Sequence, residues 1–430
     1  MTVATPAFRR VLLPEAAVAD PLDAIDLAPG EPAFYWRSDC RDIEIAALGA
    51  VATVDARGRS RFADAAAALR QLVADTEHCD ASLPLAVGGF AFGDDDPTAL
   101  WAGFPALRFF VPRVLWIRLG GVRRMVITSP VSQQQTPACL LASQFHRSGT
   151  EISSEGEDSA SWRLRVDQAV DSIRSGRIEK VVLARRRSVE TATAVPASAL
   201  LRNLAESRPE CFTFLLRWSG RTFLGSSPER LLRLDQGEIQ ADALAGTAAR
   251  GLSKPHDETL ARELFASPKE RREHRIVADA IRDALAPVAT DIRVADEPVV
   301  LSLPEAHHLH TPVTAKHGSG APAGLLEIAA RLHPTPAVCG APRDKAFAQL
   351  AAEEPDRGWY GGAVGWIGAE GDGELAVSLR AALLENNRAH VWAGAGIVEG
   401  SDSQRELDET ERKMRSILPF LERGNDECAA

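Results

Sequence analysis

Apolar residues recur along this chain with two periods, and the switches between them mark out its elements. Phe34, Tyr35 and Trp36, residues 43–46 and residues 51–54 read as strands, while residues 62–76 carry Ala66, Leu69, Leu72 and Val73 at helical spacing. Residues 87–92, 107–117 and 124–129 add three strands. A Ser-, Glu- and Asp-rich stretch at 151–161 has no periodicity and reads as a linker. Beyond it a helix over 162–174 shows the stripe Val166, Ala169, Val170 and Ile173 and ends at Gly176. Strands follow at 180–185, 213–218, 221–225 and 230–234, the middle two joined through Ser219 and Gly220. Helices are expected at 257–265 and 269–285. Ser267, Pro268 and Glu270 form a capping-box start for the second, and Pro287 stops it. Strands at 299–303 and 308–311, helices at 325–332 and 344–352, and three strands at 361–367, 374–384 and 389–394 complete the pattern. Groups of antiparallel-looking strands separated by helices predict an α+β fold, in two parts over 1–155 and 160–423 that make one compact unit. Residues 1–30, rich in Ala, Pro and Asp, read as a loosely docked arm.

The last stretch carries chemistry. Gly394, Gly396 and Gly400 lead into a helix that Ser401 or Ser403 can cap, and Glu406, Glu409 and Lys413 then share one face with Ile417 and Phe420. Carboxylates on a face that turns apolar need a cation, and hard divalent metals prefer oxygen. The competing reading is a solvated, charge-laced helix start. Glu273 shares the buried face of helix 269–285 with Ile276, Val277, Ala280 and Ile281, where it needs either an arginine or a metal shared with Glu406 and Glu409.

Composition narrows the setting. A net charge of −10 speaks against nucleic acid as partner. Cys40, Cys79, Cys139, Cys211, Cys339 and Cys428 are scattered without metal spacing, no apolar signal core opens the chain, and no run reaches membrane-span length. A cytoplasmic protein without a membrane partner is expected.

Three further positions stand out. Lys180 lies among Ile178, Val182 and Ala184, where burial lowers a lysine toward a usable base; otherwise it is an edge lysine reaching solvent. Glu229 follows Pro228 on a turn between apolar strands, as an aimed acid or a plain surface one. Arg380 falls inside the 374–384 strand and suits a carboxylate. Gly246, Thr247 and Gly394 can offer backbone N–H groups to a small anion, but neither nucleotide-binding glycine fingerprint is present. His308 and His310 share a strand face and raise a zinc hydrolase as an alternative, without the further ligands zinc needs.

Together these pieces resemble the chorismate-utilising enzymes. The resemblance rests on KVVLAR from Lys180, GSSPERL from Gly225, LAGTAARG from Leu244, ERREH from Glu270, HPTPAVCG from His333, YGGAVG from Tyr360, LRA from Leu379 and GAGIV from Gly394 through Glu409 and Thr410. They span about residues 160–420 in the family's order; the N-terminal part matches more weakly, around Phe34 and Gly88. The resemblance implies two related halves with stacked antiparallel sheets flanked by helices. It implies chorismate as substrate and Mg²⁺ on Glu273 and Glu409, with Glu406 close by through water. Gly246, Thr247, His308, Ala337, Tyr360, Arg380, Gly394 and Lys413 fall on substrate-contact positions.

Within the family, members that add water are similar in carrying a lysine at the position of Lys180. Ala245 lacks the nucleophilic lysine of many aminodeoxychorismate synthases, and Ala337 matches isochorismate synthases rather than the threonine usual in salicylate synthases. The implied reaction is water addition at C2 with loss of the C4 hydroxyl, Lys180 acting as base and Glu229 as acid. No glutaminase subunit is implied, and a monomer is expected. Mutual repulsion of the acids is expected to leave the metal-free site loose. Salicylate synthesis and a non-catalytic chorismate-binding scaffold remain the alternatives.

Overall fold

The computed structural model describes residues 8–13, 21–77, 80, 83–131, 153–191, 193–318, 324–354 and 356–422. Its centre is a pair of antiparallel strand runs that diverge from one long strand, Leu107–Leu119. One run proceeds through Ile43–Ala56, Ala33–Ser38, Phe212–Trp218, Arg221–Ser227, Ala381–Glu385 and Arg388–Ile397 to Lys180–Glu190. The other proceeds through Pro84–Phe90, Ala363–Gly368, Gly373–Val377, Arg230–Asp235 and Glu238–Ala249 to Ala306–His317.

Strand alternation sorts the side chains into layers. Phe214 and Leu216, Phe34 and Trp36, and Ala381 and Leu383 point into a core shared with Val87, Val364 and Ala376 of the other run. Their neighbours Leu215, Tyr35 and Ala382 point outward into a second core, under the helices Pro21–Leu27 and Ala197–Ser207. The far face of the other run is covered by Arg61–Ala74, Pro268–Leu285 and Leu325–Leu332. The architecture is therefore helices, sheet, sheet, helices, as α+β patterning implied. Pairings between Ala33–Ser38 and Phe212–Trp218, and between Pro84–Phe90 and Ala363–Gly368, join the segments on either side of residue 155. No described helix is long and apolar enough to cross a membrane.

Several expectations change. Within the arm, Phe8–Leu13 is a strand paired with Val122–Pro130, and Leu22 and Ile25 on Pro21–Leu27 are buried; residues 1–7 and 14–20 lie outside the described residues. In the linker, residues 151 and 152 lie outside them, Ser153–Gly156 pairs with Lys180–Glu190, and Asp158 caps the helix Ser159–Arg174. Helix Ala197–Ser207 has no counterpart in the sequence reading. The expected strand 374–384 is two strands, Gly373–Val377 and Ala381–Glu385, broken where Arg380 takes φ +48°. An apolar run does not reveal such a break, because both halves remain buried.

Candidate active site

The sheet ends converge on a small cavity of about 70 Å³. Glu229, Gly246, Thr247, Glu273, His308, Ala337, Tyr360, Arg380, Gly394, Glu409 and Lys413 all line it. Lys180 and Glu406 stand just behind that wall, each buried and each reaching a neighbouring charge.

Lys180 opens the strand Lys180–Glu190, held between Arg388–Ile397 and the short strand Gly340–Ala341. Its side chain has no exposure, which removes the edge-lysine reading. Nζ lies 2.9 Å from Glu273 Oε1, at an angle outside hydrogen-bond geometry. In the structure the ion-pair partner of Glu273 is thus a lysine from the facing strand rather than an arginine. Gly396 makes this approach possible: a Cβ there would lie 2.2 Å from Glu273 Oε1.

Glu229 is 2 % exposed, not a surface acid. Its turn is pinned by its own carbonyl, which accepts from Val377 N at 3.0 Å. Its Oε1 has no hydrogen-bond partner among the described residues. Burial first, then the charge of Asp242, pushes its carboxyl up to about 8, against the opposing pull of Lys180 and Lys413. At neutral pH it is a buried carboxylic acid with a proton to give.

The other acids each have a lysine beside them, and only for Glu409 does it outweigh burial. Glu409 is buried, which raises its pKa, but the Lys413 ammonium at 2.6 Å more than reverses that and holds it below the usual carboxylate range. Lys413 also donates to Gly394 O at 2.9 Å. Glu406 is pushed up to about 7 by burial and by Glu409, with Lys269 at 3.3 Å opposing. Glu270 is raised by burial and by Glu273, and Lys269 is 3.3 Å away. Four carboxylates therefore face three lysines, which oppose the acid–acid repulsion. The cap of the helix Ser403–Met414 is Asp402, accepting from Arg405 N, rather than either serine.

Among the described residues no three acid, imidazole or thiol groups are arranged to enclose an ion as they stand. The donor set is nonetheless that of a hard divalent cation, carboxylate oxygen without sulfur or imidazole. Gly396, lacking a Cβ, leaves beside Lys180 the space that the Glu273 carboxylate occupies. The residues fit Mg²⁺. They do not support zinc: His307 is bound to Ser302 and Asp257, His308 to Arg380, and His310 to Asp242.

The rest of the lining carries groups that can meet an anion. A bulge at Gly246 (φ +79°) interrupts the pairing of Glu238–Ala249 with Ala306–His317. It does not free Thr247 N–H as expected, since that group donates to Glu270 Oε2 at 3.0 Å. Ser267 caps the helix by accepting from Glu270 N, while the Glu270 carboxylate reaches the bulge. Arg380 Nη2 lies 3.0 Å from His308 Nε2. A guanidinium only donates, so Nε2 accepts and Nδ1 carries the proton, facing Gly246 O at 3.3 Å. Burial first, then Arg380, lowers His308 well below its ordinary range, so it stays neutral. Arg380 Nη1 points toward Glu305 Oε2 at 3.5 Å, and buried Arg208 pairs with the same carboxylate. Tyr360 stacks at 17° on Trp392, and burial raises its hydroxyl to about 12, so it remains a donor. Arg357 donates to Val182 O and Val338 O, tying the strand of Lys180 to the loop of Ala337. Glu305, Arg208, Arg357, Glu270 and Lys269 escaped the sequence reading. Only the charge of the last two, beside Glu273 on one helix, offered a signal there.

Known proteins share this frame. Residues 11–422 match the family model described as chorismate binding enzyme. A "Salicylate biosynthesis isochorismate synthase" of Pseudomonas aeruginosa is 32 % identical over 96 % of this chain and 90 % of its own length. The isochorismate synthase MenF of Escherichia coli is 30 % identical over 97 % of this chain and 95 % of its own. The solved structure of the menaquinone-specific enzyme from E. coli superposes with a TM-score of 0.79 at 29 % identity, covering 98 % of this chain and 96 % of that one. From the matched span and these identities, the chain belongs to the chorismate-binding enzyme family.

Proposed function

We propose that this protein is an isochorismate synthase, converting chorismate to isochorismate with Mg²⁺. The observation that carries the reading is Glu229: a buried, protonated acid without a hydrogen-bond partner for Oε1, lining a cavity that the buried Lys180 stands behind. Relatives named isochorismate synthase over almost the whole chain support it.

In this reading Lys180, as a free amine, takes a proton from water while the water oxygen bonds to C2. The ring double bonds shift, the C4–O bond breaks, and Glu229 delivers its proton so that the C4 hydroxyl leaves as water. One water enters and one leaves, and return of the proton from Lys180 to Glu229 resets the site. Lys180 acts once Glu273 has turned away, since its Nζ otherwise faces that carboxylate at 2.9 Å. Arg380, oriented by His308, binds a substrate carboxylate, and Tyr360 and Lys413 complete that wall. Mg²⁺ on Glu273 and Glu409, with Glu406 behind them, supplies neutralisation of the ring carboxylate. No ammonia is used, so no glutaminase subunit is needed, and a monomer in the cytoplasm suffices.

Purified protein incubated with chorismate and Mg²⁺, resolved by chromatography with and without EDTA, tests the assignment. A chorismate–isochorismate mixture reaching a fixed ratio, lost with EDTA, is the expected result. Salicylate with pyruvate would overturn the product assignment, and no product would leave a chorismate-binding scaffold.

A further inference from the structure

The three lysines that neutralise the carboxylate cluster are not equivalent. Lys180 is completely enclosed. Lys413 is anchored twice, on Glu409 Oε1 at 2.6 Å and on Gly394 O at 2.9 Å. Lys269 sits between two acids, 3.3 Å from Glu270 Oε1 and 3.3 Å from Glu406 Oε1, and its side chain is 36 % exposed. It stands one position before Glu270 in the first turn of Pro268–Leu285, with open solvent beside it. Only Lys269 combines loose contacts with a way out.

We propose that Lys269 is a displaceable counter-cation of this cluster: it holds Glu270 and Glu406 together in the metal-free protein and is expelled to solvent when a divalent cation binds. The proposal rests on the Mg²⁺ reading above and adds a residue that touches neither substrate nor reacting atoms. Four carboxylates without Lys269 would face two lysines, so the metal-free cluster needs it. A divalent ion among the same oxygens would be repelled by it. Repulsion between an ammonium and a divalent ion a few ångströms apart is worth about tenfold in affinity even at the dielectric of water. Lys269 therefore lowers metal affinity and keeps the empty site assembled.

The test is calorimetric titration of Mg²⁺ into the full chain without chorismate, for wild type, Lys269→Met and Lys269→Arg, with thermal melts of each in EDTA and in Mg²⁺. The expected result is about tenfold tighter Mg²⁺ binding by Lys269→Met, a lower melting midpoint in EDTA, and a larger rise on adding Mg²⁺. Lys269→Arg, which keeps the charge, should stay near wild type. Should Lys269→Met fail to fold, Lys269→Gln takes its place. Unchanged or weaker Mg²⁺ binding by the neutral variant, with wild type binding normally, overturns this inference and leaves the Mg²⁺ reading standing. Absence of Mg²⁺ binding in wild type and variants alike overturns both.

Discussion

Burial of Glu229 sets both its readiness to donate a proton and its cost to the fold, so one substitution tests both. Its carboxyl moves from an ordinary 4.5 to about 8 in the folded chain. A raised carboxyl pKa means that the folded state holds its proton where the unfolded chain has lost it. The stability it contributes is fully present below pH 4.5 and is lost as pH rises through 8. At 1.36 kcal/mol per pKa unit, the loss between pH 5 and pH 9 comes to about 4 kcal/mol. Glu229→Gln keeps the shape and removes the titration. Urea unfolding of both proteins in EDTA across that range should give curves that diverge, the variant gaining about 4 kcal/mol relative to wild type by pH 9. A difference that stays within about 1 kcal/mol throughout would refute protonation driven by burial. Turnover supplies the second arm. Wild-type activity should fall above pH 8, and Glu229→Gln should be inactive at every pH; near-wild-type turnover in the variant would reject it as the proton donor.

Lys180→Ala should fold yet lose at least about 10²–10⁴-fold in kcat, the usual worth of a general base, and a loss under tenfold would remove that role. Gly396→Ala places a Cβ 2.2 Å from Glu273 Oε1, the movable end of a side chain, so its urea midpoint should hardly change while turnover drops at least tenfold. Gly365→Ala makes the contrast: its Cβ would meet the backbone oxygen of Glu374 at 1.9 Å, and the folded protein should be lost. Ala337→Thr, in a loop position lining the cavity, should shift products toward salicylate or cripple turnover; an unchanged chromatogram would strike this residue from the specificity argument.

Periodicity made the layers legible because each strand buries one face in each of two cores. Phe34 and Trp36 against Tyr35, or Phe214 against Leu215, follow the alternation directly. The charged site was legible for a related reason. Glu273 lies on an otherwise apolar helix face, and Glu406 and Glu409 lie on one that turns apolar toward Ile417, so they stood out as acids needing a partner. Which partner was not legible. Lys180 and Glu273 are brought together by the crossing of a strand and a helix distant in sequence, and the enabling gap at Gly396 lies on a third element. The left-handed turn at Arg380 was hidden because arginine carries no marker for positive φ. The same holds for Thr247 N–H, whose freedom depended on where the Glu270 carboxylate would point.

The site's logic lies in how it treats acids of one chemical kind. Glu229 and Glu409 are both glutamates lining the same cavity, and burial alone would raise both. Glu409 has an ammonium four residues along its own helix, at 2.6 Å, and remains charged. For Glu229 the charges of opposite sign belong to Lys180 and Lys413, both already committed to other carboxylates, while Asp242 reinforces the proton. One cavity thus keeps a protonated Glu229 and a charged Glu409 apart through the allocation of lysines. Exchanging partners, by withdrawing Lys180 from Glu273, changes the charge felt by Glu229 as well. In the proposed reaction, that would link release of Lys180 as base to Glu229 as acid through the Lys180–Glu273 contact.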